Sequence, residues 1–222
     1  MEYGVEMEED KYAAMLAYGR RLMTFLGAYP RAFGGLTDLT LDGIGLGEPD
    51  MLNAVLSTCK KLENLTLENC HIGLRRYILQ IRHPELVELN ITSCDFERVR
   101  LEWLPRLTYF SCHYWPDSKD QYPLSFGHVP QLRTLVLGKA GTILDKSLKL
   151  SEFLGTASIG ELDLDFRCER IWIQPESSKR LEHVLRNLQV VKLSCIYEEC
   201  GIGWTLFFLE GAPLLKEINI QV

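Results

Sequence analysis

The sequence predicts an α/β fold: one curved solenoid with a parallel sheet of about eight strands on its concave side and mixed helices and strands on its convex side. Three observations predict it. A short apolar pattern recurs along the chain, its recurrences are evenly spaced, and each holds two apolar residues two apart, which is the period of a strand. "LENLTLENC" at 62–70 returns as "LVELNITSC" at 86–94 with its spacing intact.

Counting from the first apolar residue of each unit, positions plus three and plus five are also apolar. Eight segments comply: Leu36-Leu39-Leu41, Leu62-Leu65-Leu67, Leu86-Leu89-Ile91, Leu107-Phe110-Cys112, Leu132-Leu135-Leu137, Ile159-Leu162-Leu164, Leu188-Val191-Leu193 and Leu215-Ile218-Ile220. Their starts, at 36, 62, 86, 107, 132, 159, 188 and 215, lie 21 to 29 residues apart. A helix would hold zero and plus three on one stripe but throw plus five off it, and Thr40, Thr66 and Asn90 are poor helix formers. The unit is therefore a short strand with its two leucines inward and a third beneath the turn that enters it. No such unit buries its own apolar face, so neighbours stack and the strands join in parallel.

Taken in chain order, residues 1–35 form an N-terminal helical cap and residues 36–222 the repeat array. "DKYAAMLAYGRRLMTFLGAYP" is the capping helix. "EPDMLNAVLSTC" at 48–59 reads as a helix with Pro49 in its first turn and Leu52, Val55, Leu56 and Cys59 on one face. "FERVRLEWLP" alternates as a strand does, with Val99 and Leu101 together. Residues 113–128 read as a loop, and "GWTLFFLEGAP" as a buried helix before the last unit. Cys70 and Cys94, at plus eight, turn the chain off the sheet. Pro84, Pro105, Pro130 and Pro213 each stand two residues before a unit and suit the turn that re-enters it.

This ordered series resembles the leucine-rich half of plant F-box/leucine-rich repeat proteins, the grass families in particular. The resemblance runs from about Phe33 to Val222 on "FGGLTDLTL", "LSTCKKLENLTLENC", "HPELVELNI", "YPLSFGHVPQLRTLVL" and "LFFLEGAPLLKEINI", the last similar to an FBD-type C-terminal repeat. It implies an adaptor whose repeats hold a protein substrate while an F-box docks on the Skp-type subunit of a cullin ubiquitin ligase. Residues 1–35 do not match an F-box, so the Skp-type partner is expected only if an F-box is present elsewhere. A stand-alone repeat scaffold or receptor fragment is the alternative. The stop at "INIQV" inside the eighth strand reads as truncation, since an open strand invites pairing.

Composition excludes several classes. A formal charge of −6, from 24 Lys+Arg against 30 Asp+Glu, opposes nucleic-acid binding. The start is acidic where a secretory signal is basic, and no run of 18 apolar residues spans a membrane. Seven cysteines without a signal peptide point to reduced thiols in the cytoplasm or nucleus. "GIGLG" at 43–47 lacks the third glycine of a dinucleotide loop, Glu48 standing there instead, and its glycines fit a turn after a strand. Cys195 and Cys200 lack metal-knuckle spacing, and the Cys70-His71 and Cys112-His113 pairs point to opposite faces, buried cysteine beside exposed histidine. No oriented base stands beside a nucleophile. The reading is no enzyme, no cofactor and no metal.

The residues between the inward leucines cover the concave face. Eight are acidic (Asp38, Asp42, Glu68, Glu88, Glu161, Asp163, Asp165 and Glu217) against one base, Lys192, so the face is expected to take a protein with a basic surface. Glu161, Asp163 and Asp165 share one strand face. Tyr109 and His113, with Tyr114 and Trp115, offer an aromatic anchor beside them.

Overall fold

The structure, a computed structural model, describes residues 2–47, 50–71, 78–96, 98–113, 123–138, 148–155, 157–167, 171–196 and 202–221. Their strands are β1 (Asp38–Asp42), β2 (Asn64–Glu68), β3 (Ile78–Arg82), β4 (Glu88–Thr92), β5 (Arg98–Trp103) and β6 (Tyr109–His113). They continue with β7 (Leu124–His128), β8 (Thr134–Gly138), β9 (Glu161–Asp165), β10 (Val190–Ser194) and β11 (Glu217–Ile220). Helices α1 (Glu2–Ala28), α2 (Pro30–Phe33), α3 (Asp50–Thr58), α4 (Leu150–Leu154), α5 (Ser178–Leu185) and α6 (Leu206–Gly211) fill the returns, with a 3-10 turn at Ile202–Thr205.

All eight predicted units supply a strand to one open parallel sheet, in the order β1-β2-β4-β6-β8-β9-β10-β11. Pairing keeps each unit in step with the next. Leu39, Leu65, Leu89, Phe110, Leu135, Leu162, Val191 and Ile218 form one row. In the six inner strands the plus-three and plus-five residues are no more than 2% exposed, whereas Leu39 and Ile218, at the two ends, are only partly buried. This is how a stack of units behaves when each lends its apolar face to its neighbour.

Two backbone devices repeat with the leucines. The N–H of the first apolar residue donates to the carbonyl three residues back in six of the units, closing Phe33–Leu36, Cys59–Leu62, Leu104–Leu107, Val129–Leu132, Leu185–Leu188 and Ala212–Leu215 at 3.0–3.2 Å. Pro105, Pro130 and Pro213 occupy the second position of such turns, where a fixed φ is already correct. One residue later, the carbonyls of Thr37, Glu63, Val87, Thr108, Arg133, Gly160 and Gln189 each accept two N–H groups from the following unit, at 2.7–3.2 Å. That ladder continues the sheet through the turns.

At the other end of the strands the chain enters the left-handed region. Gly43, Asn69, Ser93 and Cys195 have φ of 64°, 49°, 53° and 53°, all seven residues after the unit's first apolar residue. Gly43 adopts it without strain, and asparagine is the side chain that tolerates it best. The next residue turns inward, as expected of Cys70 and Cys94, whose thiols donate to the carbonyls of Leu41 and Leu67 in the preceding units.

The convex side holds one surprise. β3, β5 and β7 form a second parallel sheet, in that order, behind the middle repeats. β5 agrees with the alternation of "FERVRLEWLP". β7 corrects the loop reading of 113–128, because residues 124–128 pair with β5; residues 114–122 lie outside the described residues. Its inner side chains meet the first sheet, with the Phe126 ring 6.4 Å from Phe110 in an edge-on contact. α3 buries Met51, Leu52, Val55 and Leu56, the face predicted. α6 differs: Phe207 and Phe208 are buried, but Leu206 and Leu209 are exposed, so the helix is half-buried.

One buried polar residue replaces a leucine in this scheme. His83, 2% exposed, stands where Leu104 and Val129 stand in the following units. Its Nε2 contacts the Cys59 carbonyl at 3.0 Å, and the Glu85 N–H donates to Nδ1 at 3.3 Å, a set suited to the neutral ring. Burial pushes its pKa below the ordinary histidine value, against the smaller opposing pull of the Cys59 carbonyl and Glu85. The unfolded ring takes up a proton below about pH 6.5 while the folded ring resists it. Stability is therefore expected to be whole above that pH and to fall as the pH drops toward the folded value. Urea midpoints measured from pH 7.5 to 5 should fall for the parent chain and fall less for His83→Leu; parallel curves would assign the slope elsewhere.

Candidate interaction face

Between the inward rows, three columns of side chains cover the outer face of the eight-stranded sheet. The middle column runs Thr40, Thr66, Asn90, Ser111, Val136, Asp163, Lys192, Asn219. Its flanks carry Asp38, Asn64, Glu88, Tyr109, Thr134, Glu161, Val190 and Glu217 on one side, and Asp42, Glu68, Thr92, His113, Gly138, Asp165 and Ser194 on the other. All six residues expected to meet a partner lie on this face, and Glu88 and Tyr109 pair side by side across β4 and β6. Glu88 is exposed; Tyr109, His113, Glu161, Asp163 and Asp165 are half-buried. Tyr114 and Trp115 lie outside the described residues.

Much of the acidity is already matched. Lys192 Nζ stands 2.6 Å from Glu161 Oε1, a contact that raises the lysine's pKa. Arg167, itself at φ 55°, pairs with Asp165 at 3.1 Å and donates its backbone N–H to the same carboxylate at 2.9 Å. Asp38 accepts from Thr37 and Asn64, and these bonds hold its pKa down. Asp42 accepts from Asn69 at 2.8 Å. Asp163 differs. Burial raises its pKa, with Lys192 opposing, and among the described residues no cation lies within ion-pair distance of it. The acidic triplet is thus one available carboxylate between two engaged ones.

His113 is set lower than an exposed strand residue. Gly138, its partner across the strands, is buried, and a Cβ there would stand 2.1 Å from the His113 Nδ1. The missing side chain lets the imidazole lie down over β8 toward Asp163 and Asp165. Burial lowers its pKa, Asp165 opposes, and Arg167 adds to the lowering. Its Nδ1 is shut off from solvent without a hydrogen-bond partner. Ser111 and Gly138 are buried, and the His113 ring covers Gly138. The reading of an exposed histidine beside a buried cysteine is half right: Cys112 is buried, but His113 is recessed.

Sequence reasoning placed Gly138 among the residues between the inward leucines but missed its effect on His113, and it missed Arg167 altogether. Gly138 carried a signal, being the only glycine at the plus-six position, whereas Arg167 lies past the strand and reaches back through a turn. Of the cysteines behind the face, burial pushes the Cys112 thiol up, and the bond to Cys70 followed by burial does so for Cys94, while the same bond holds the Cys70 thiol down. Among the described residues no group of histidines, cysteines and carboxylates is placed to hold a metal ion. Nor is any described helix long and apolar enough to cross a membrane.

Stacked strand-turn units with a continuous, side-chain-bearing sheet face define a leucine-rich repeat interaction module. Residues 13–158, more than half of the chain, match the family described as "FBD-associated F-box protein At5g56370, LRR repeats", and the chain belongs to that family. No curated protein matches it.

Proposed function

We propose that the chain is the substrate-recognition part of an F-box/leucine-rich repeat ubiquitin-ligase adaptor, acting in the cytoplasm or nucleus. A partner protein sits on the outer face of the eight-stranded sheet, across Glu88, Tyr109, His113, Glu161, Asp163 and Asp165. α1 and α2 cap the first unit of an array that begins at Leu36. The Skp-type subunit joins through an F-box carried elsewhere. Family membership supports the adaptor reading. The observation that carries the site is Asp163, a half-buried carboxylate near the His113 ring with no cation within ion-pair distance among the described residues, its strand neighbour Lys192 being drawn to Glu161. It favours a partner that brings a lysine or arginine to that spot.

The test is capture of partners from plant extract by the chain, alone and fused to an F-box, with Glu161/Asp163/Asp165→Lys beside each. Both parent forms should recover one shared protein in a salt-sensitive way, the fusion should add cullin subunits, and the lysine variant should lose at least about tenfold of the shared protein. Equal recovery by the lysine variant would sink the site. Absence of cullin subunits from the fusion would make the array a scaffold outside ubiquitination.

A further inference from the structure

The second sheet turns a face to solvent that the reading above leaves unused. Val99 and Leu101 point from β5 into the core, so Arg98 and Arg100 point outward, with Glu102 beyond them on the same side. Register sets Ile78 beside Arg98, and Gln80 and Ser125 on either side of Arg100. Each of these neighbours is uncharged.

The nearby bases divide into two kinds. Arg82 is engaged by Glu102, and Arg106 by Glu85. Among the described residues, Arg98 and Arg100 have no carboxylate within ion-pair distance. The Arg98 Nε is closed off from water and has no acceptor among the described residues. A buried guanidinium nitrogen without an acceptor is costly, and an anion held against the outer part of the guanidinium offsets part of that cost through its charge. The two guanidinium groups share one strand face among uncharged neighbours, which concentrates positive charge there.

We propose that this outward face of the three-stranded sheet is a second docking surface, which takes an extended acidic segment of a partner protein on Arg98 and Arg100. The two arginines are one strand repeat apart, roughly 6.6–6.8 Å. Carboxylates at alternate residues of an extended segment have the same separation, so each guanidinium receives one of them through its fork. Trp103, 46% exposed, offers an aromatic surface at the end of β5, past Glu102 and level with Arg82. The net negative charge of the chain favours protein carboxylates over a nucleic-acid backbone, whose many phosphates the rest of the surface repels. The two faces of the solenoid then prefer partners of opposite sign.

Fluorescence anisotropy of a fluorescein-labelled octapeptide alternating glutamate and serine, titrated with the full chain at low salt, tests this. Saturable binding is expected, weakening as salt rises, and Arg98→Glu/Arg100→Glu should lose about tenfold or more in affinity. Arg98→Gln/Arg100→Gln, which removes charge without repulsion, should lose most of the same binding, with its urea midpoint reporting that the fold persists. Glu161/Asp163/Asp165→Lys should leave peptide binding unchanged, which separates this surface from the one across the sheet. Absence of saturable binding, or binding indifferent to both arginine variants, overturns the proposal. Tighter arginine-dependent binding of oligothymidylate than of the peptide would overturn the acidic-protein assignment.

Discussion

Phe110→Ala is expected to cost about 4 kcal/mol, in the range for emptying a fully buried aromatic site. Phe110 is 0% exposed and lies in the inward row of β6, third of the inner strands. Its ring meets Phe126 of the second sheet edge-on, and Phe126 in turn meets Phe153 of α4 at 5.5 Å. The substitution therefore opens a cavity where two sheets and a helix converge, with no flexible element to fill it. Leu39→Ala, in the same row at the solvent-facing end, should cost only about 1–2 kcal/mol because its site is already partly open. Urea unfolding checks both. A repeat array holds together through neighbours alone, so the central cavity should also broaden or split the transition. Equal costs at the two positions would contradict the gradient of burial.

Gly45→Ala is expected to loosen α1 from the array and to cost on the order of 3 kcal/mol. A Cβ at Gly45 would stand 2.5 Å from the Leu16 nitrogen and 2.7 Å from the Met15 carbonyl carbon, and backbone does not swing aside as a side chain does. The Gly45 N–H also donates to the Met15 carbonyl at 2.9 Å, a bond the intruding methyl would part. Gly19 faces the same crossing, where a Cβ would lie 1.9 Å from the Gly45 oxygen. Gly43→Ala is the control. It has φ of 64° and nothing within 4 Å, so its cost is conformational strain alone, about 1 kcal/mol. Trypsin should cut the Gly45→Ala variant at Arg20 and Arg21 much faster than the parent or the control. Similar cutting of all three would show that α1 is held by other contacts.

The eight strands of the main sheet were legible because three apolar residues per unit obey a spacing that only a strand entered from a turn satisfies. The same spacing accounts for the register found, in which plus three pairs with plus three. β3 and β7 were not legible. "LSFGH" carries a glycine and a histidine and follows a stretch rich in turn formers, and it becomes a strand because β5 offers it an edge. The glycines of "GIGLG" were assigned correctly to a turn at Gly43, but the role of Gly45 depends on a helix that crosses it from thirty residues away.

The candidate face was legible as a set of residues and not as a set of charges. Alternation along each strand placed Glu161, Asp163 and Asp165 outward. That Lys192 reaches diagonally to Glu161 and that Arg167 folds back to Asp165 depends on side-chain reach and on a left-handed residue, neither of which leaves a pattern in the sequence. For the same reason the triplet reads as threefold acidity in the sequence and as one available carboxylate in space.

The in-step pairing of all eight units turns the sheet into a ruled grid. Adjacent strands lie about 4.8 Å apart, and outward side chains about 6.6 Å apart along them. A polyproline-like chain laid across the strands advances about 9.3 Å for each turn of three residues, close to two strand spacings. Every third side chain of such a ligand therefore comes down on every second strand. On this ruling Asn90, Val136 and Lys192 are addressed by one phase of a crossing chain, and Thr66, Ser111 and Asp163 by the phase one strand over.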